Sequence, residues 1–168
     1  SFSGVSHALE ADSSEKLPPY LFMAADNTDG IQARQSQTIV RSRFANVDFS
    51  LLPDPEENFD AEPGAEIKLI LNFFPEIELT TLIHKIEKNR SGSYSWFGKL
   101  EDIPMSQVVL VVHKNKVIGN VSKPNLTYQV RHTKDGIHTV YEINPSNFPP
   151  DGEPVTPKIP SSIPSNKE

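Results

Sequence analysis

The chain contains no cysteine in its 168 residues. That absence excludes disulfide staples, cysteine-based zinc sites and thiol nucleophiles together. It also lacks any apolar run near the roughly 18 residues that a spanning helix needs. Its first residues, "SFSGVSHALEADSS", show no basic stretch followed by an apolar core, so no signal peptide is expected within them. Basic charge is scarce as well. The net charge is -6 and the pI about 5.4, which disfavours a nucleic-acid partner. No H-E-x-x-H, no G-x-S-x-G and no glycine-rich phosphate loop occurs. Neither a resident cofactor nor a catalytic residue is therefore expected.

Proline, by contrast, is plentiful and clustered. Seven of the fifteen prolines fall between Pro145 and Pro164. Such a segment cannot sustain a helix and lacks amide donors for a central strand, so residues 149–168 read as an extended linker. Charge is uneven too. Residues 1–64 hold eleven Asp/Glu against four Lys/Arg, and the remainder is nearly balanced. With 36% apolar residues and a mean hydropathy of -0.41, part of the length should lie outside a packed core. Residues 1–37 have a weak pattern, with a short helix conceivable over "SHALEADSSEKL" before "LPPY" stops it.

Between these flanks the sequence speaks for strands. "QTIVRSRFANVDFSLL" alternates, with Arg41, Arg43, Ala45, Val47 and Phe49 on one face, although neither face is cleanly apolar. "EIKLILNFF" reads as a buried strand. "EIELTTLIHKIEKN" has Ile77, Leu79, Thr81 and Ile83 on one side; a helix is conceivable there, but threonines and isoleucines favour strand. "YSWFGKLED", "QVVLVVH", "VIGNVS", "LTYQVRH" and "IHTVYEIN" follow, separated by "KNK", "KPN" and "TKDG". Asp135-Gly136 is a strong hairpin signal, because glycine accepts positive φ without steric cost. The expectation is an all-β fold, an antiparallel sandwich or roll of consecutive hairpins over residues 38–148.

Few residues invite a chemical reading. His132 and His138 straddle the "TKDG" turn and could form a weak metal pair, but the spacing forces no third ligand, and ordinary imidazoles on a hairpin are favoured. The acid pairs Glu56-Glu57 and Glu101-Asp102 sit in turn-like, solvated surroundings. Asn89, Asn120 and Asn125 each begin a short glycosylation pattern that is common by chance. Tyr94, Trp96 and Phe97 could form a stacking platform for a glycan or protein, which is one reading of the chain as an extracellular binding module. The favoured reading puts Trp96 in the core.

Taken in order, these segments resemble the N-terminal pro-region of bacterial reprolysin-like zinc metallopeptidases, the adamalysin branch of the metzincins. The motifs are "LNFFPEIELTTLIHKIEKN", then "WFGKLEDIPMSQVVLVV" with Trp96, Gly98, Ser106 and Leu110, then "GNVSKPNLTYQVRHTKDGIHTVYEIN" with Gly119, Tyr128, Arg131, Gly136 and His138, then "NPSNFPPDGEP". The resemblance implies a secreted or periplasmic pro-domain that assists folding of a zinc peptidase in cis and keeps it latent. The partner it implies is the catalytic domain, and the chain alone would have no peptidase activity. A cysteine switch, frequent among animal relatives, is excluded by composition. Asp151 is a candidate carboxylate ligand for the catalytic zinc, against the preferred reading of a turn residue before Gly152.

Overall fold

A computed structural model describes residues 20–58 and 64–147 of the chain. Nine strands form one sheet: β1 (Phe22–Ala24), β2 (Ile39–Val47), β3 (Ile67–Phe74), β4 (Ile77–Lys88), β5 (Tyr94–Leu100), β6 (Ile103–His113), β7 (Lys116–Lys123), β8 (Leu126–Lys134) and β9 (Ile137–Ile143). Their order is β1-β2-β9-β8-β7-β6-β5-β4-β3, and every neighbouring pair is antiparallel. The chain thus runs as a meander of hairpins from β3 to β9. The earlier strand β2 then pairs with β9, and β1 pairs with β2. This is the expected all-β architecture of consecutive hairpins, and the ambiguous segment Ile77–Lys88 is a strand.

Alternation explains which face goes inside. On β7, Val117, Gly119 and Val121 are buried and the residues between Val117 and Val121 that alternate with them are exposed, as a half-solvated antiparallel strand requires. The hairpin tips use residues that tolerate positive φ: Lys114 at +51°, Asn125 at +64°, and Asp135 and Gly136 at +50° and +80°. Two consecutive positive φ values at Asp135-Gly136 match the twist of the flanking strands.

The sheet curls until its ends meet. Phe73 on β3 stacks on Tyr128 of β8 with ring centroids 4.8 Å apart, and Phe22 on β1 lies 5.6 Å from Phe73. Strands so distant in the sheet order cannot touch across a flat sheet. Trp96, Tyr128, Phe22 and Phe73 are the largest fully buried side chains and fill the interior. Each such side chain contributes about 1.5–3 kcal/mol through burial.

Two features depart from simple alternation. A bulge between Ile83 and Lys85 resets β4, so that Ile86 rather than Lys85 opposes the core residue Trp96. A second irregularity between Leu71 and Phe74 leaves both Phe73 and Phe74 buried near Tyr128. β1 falls before residue 38, within the segment read as weakly ordered. Its neighbour Leu21 and its own Phe22 are each only 1% exposed, so the β unit takes in residues well ahead of that border. The linker 149–168, Asp151 and the helix considered over "SHALEADSSEKL" lie outside the described residues.

Candidate functional site

Three places on the molecule gather polar chemistry around the apolar interior. The first is the mouth beside Trp96. A 3-10 turn (Phe49–Leu51) and a short helix, α1 (Pro55–Asn58), leave β2 and pass this end. Asp48 caps the turn by accepting the Ser50 amide at 3.1 Å. Phe49, Leu52, Pro53, Pro55, Tyr94 and Trp96 help wall a cavity of about 390 Å³. At its rim the Tyr94 hydroxyl donates to the Glu56 carboxylate, and Lys88 Nζ joins the same oxygen at 2.9 Å. The Tyr94 hydrogen bond, then Lys88, hold the Glu56 carboxyl below its usual range.

The three aromatics do not make one platform. Successive strand residues point to opposite faces, so Trp96 turns inward and Phe97 turns outward, under the Lys85 ammonium at 5.6 Å. Trp96 is 1% exposed, which places it in the core. Its indole Nε1 is buried and has no hydrogen-bond partner among the described residues.

The second place is the histidine pair. His138 Nε2 accepts the Val117 amide at 3.0 Å, and Nδ1 lies 3.0 Å from the Gly136 carbonyl oxygen. Nδ1 therefore carries the proton and donates. His132 Nε2 accepts the Gly136 amide at 3.3 Å, with the two rings 5.3 Å apart. Burial, reinforced by His132, pushes His138 down to about 4. Both nitrogens of His138 are committed to backbone, and no cluster of three His, Cys, Asp or Glu suited to a metal occurs among the described residues. The pair ties β9 to β7 and to its own turn.

Most of the other motif residues serve the fold. A Cβ on Gly98 would sit 2.3 Å from the Leu82 carbonyl oxygen, and one on Gly119 would sit 2.4 Å from Leu110 Cδ2. Ser106 Oγ accepts the Leu100 amide at 2.8 Å and donates to the Ile103 carbonyl, fastening the β5–β6 turn. Tyr128 is 1% exposed. Arg131, exposed, reaches only Gln129 among the described residues.

The third place is the seam where β1 meets β3, and the sequence reading did not single it out. The Asn72 side chain spans it: Oδ1 accepts the Phe22 amide at 2.9 Å, and Nδ2 donates to the Phe22 carbonyl at 2.8 Å. Arg43 adds Nε to the Phe73 carbonyl at 2.5 Å, and Nη2 to the carbonyls of Asn72 at 2.7 Å and Phe22 at 3.3 Å. Burial lowers the affinity of Arg43 for its proton. Next to it, Arg41 stands 3.9 Å over the Phe74 ring between Glu142 and Glu76. Two signals were available: a lone asparagine inside "LILNFF", and two arginines sharing a face with Ala45 and Val47.

No protein-family model matches the chain, and no curated protein does. Among solved structures, one described as the structure of a chaperone-substrate complex aligns with a TM-score of 0.43 and 14% identity, over 72% of this chain and 86% of that one. A likeness so distant transfers nothing to this protein.

Proposed function

We propose that the chain is a non-catalytic pro-region of a secreted or periplasmic zinc metallopeptidase, which assists folding of the catalytic domain and blocks its cleft. One observation supports this reading most. Of the residues that carry the pro-region resemblance, all but the exposed Arg131, namely Trp96, Gly98, Ser106, Leu110, Gly119, Tyr128, Gly136 and His138, are packing, turn or fastening positions of the curled sheet. An enzyme's signature residues converge on a cleft, whereas those of a module that acts as a folded block are the ones that specify the block. Without a thiolate, latency is steric, or uses a carboxylate such as Asp151 on the zinc.

The test adds the isolated chain to the mature peptidase encoded with it. Inhibition at micromolar concentration and a higher refolding yield of the denatured peptidase are expected. Absence of both effects rejects the reading.

A second reading, an extracellular binding module, draws on the roughly 390 Å³ cavity beside Tyr94 and Trp96. It uses no contribution from Phe97. Titration with soluble oligosaccharides, followed by the fluorescence of the single tryptophan, separates it from the first.

A further inference from the structure

The seam has a property that follows from strand parity. Nine strands joined by antiparallel pairings leave the first and last, β1 and β3, pointing the same way. A strand placed between them would run antiparallel to both and satisfy two edges at once. No backbone ladder joins β1 to β3 among the described residues. Asn72 stands in for one: a side-chain amide offers the same donor and acceptor as a peptide group, and it grips both the N–H and the C=O of Phe22. Below Asn72, the Ile67–Leu71 part of β3 has no backbone partner on its outer side among the described residues. Unpaired edges of this kind accept added strands.

The surroundings specify what would fit. A cavity of about 450 Å³ opens here, walled by Tyr20, Phe22, Met23, Arg43, Asn72 and Pro75 among others. Met23 is 46% exposed, an adaptable apolar surface beside the cavity. Arg43 lines the same cavity and donates only to carbonyl oxygens among the described residues; Glu76, ion-paired with Arg41, acts on it through space without a salt bridge. Its Nη1 takes no part in those bonds. The chain's own residues 148–168 are unsuited to the role, because their six prolines lack the amide donors that a central strand needs.

We propose that the β1–β3 seam is a docking site for an extended peptide strand of a partner protein, antiparallel to both edges, with a carboxylate side chain directed at Arg43. Asn72 releases Phe22 as the strand enters. The proposal stands apart from the pro-region reading.

The probe is a capped nine-residue peptide of alternating threonine and valine with one central glutamate, added to the full chain. Hydrogen exchange at Phe22–Ala24 and Ile67–Leu71 should slow by about tenfold or more at saturation, with other strands unchanged. The same peptide with glutamine at its centre should bind about fivefold or more weakly. Arg43→Gln should abolish that difference, and Met23→Glu, at an exposed position, should weaken both peptides. The two peptides compared on the unaltered chain test the carboxylate even if Arg43→Gln fails to fold. The proposal is overturned if no slowing occurs up to millimolar peptide, if the glutamine peptide binds equally well, or if a central proline leaves binding unchanged. Slow exchange of Ile67–Leu71 already in the free chain would overturn it as well.

Discussion

The wall from β5 to β8 and the seam between β1 and β3 enclose the same interior by different means. In the wall, backbone ladders join every neighbouring pair, with one irregularity between Gly98 and Leu100 and an unbroken run from Gln107↔Ser122 to His113↔Lys116 on β6 and β7. At the seam, two side chains, Asn72 and Arg43, do the joining. A ladder spreads its contribution over many modest bonds, each about 0.5–1.5 kcal/mol net. The seam concentrates it in a few charged or amide groups. The wall should therefore fail chiefly through lost packing, with the buried His138 its one polar weak point, and the seam through single polar contacts.

The strongest challenge to the wall is Trp96→Ala, which removes its largest side chain. A loss of about 4 kcal/mol in urea unfolding is expected. A loss below about 1 kcal/mol would mean the wall does not depend on this packing.

Acidification comes next, because His138 fastens β9 to β7 only when neutral. Its value of about 4 in the fold lies below the ordinary 6.5. The unfolded chain therefore takes the proton first, and stability falls as pH drops from about 6.5 to about 4, then levels off. The total is on the order of 3 kcal/mol. Denaturation midpoints across that range check it, and His138→Leu should flatten the slope.

Gly98→Ala should cost about 2–3 kcal/mol, since the obstructing atom is a backbone oxygen that cannot swing away. Thermal unfolding measures it. Smallest in total, and most telling for the comparison, is Asn72→Leu. It should cost about 2 kcal/mol by leaving the Phe22 amide unpaired and its carbonyl with Arg43 alone. Exchange should quicken at Phe22–Ala24 while β6 and β7 stay protected. Uniform quickening across the sheet would erase the distinction between seam and wall.

The wall was readable from sequence and the seam was not, for a physical reason. Runs such as "QVVLVVH" and the Asp135-Gly136 turn state their structure locally, by alternation and by tolerance of positive φ. The core position of Trp96 was expected from the large apolar area that a tryptophan buries. β1 has only three residues, and it is a strand because β2 and the Asn72 side chain lie beside it. Contacts between residues fifty positions apart leave little trace in a local pattern. Arg43 was visible as an arginine on an apolar face, yet its partners are backbone carbonyls, which no side-chain motif records.

The extra residue in β4 between Ile83 and Lys85 works as a phase correction. Everything after it is read one step out of step with everything before. Deleting His84 would merge the two phases into one regular ladder, with Ile83 still opposite Gly98, Lys85 opposite Phe97 and Ile86 opposite Trp96. Length tolerance in this strand is therefore governed by arithmetic: the loss of one residue at the bulge preserves which side is wet, and the loss of one anywhere else in the strand turns part of it inside out.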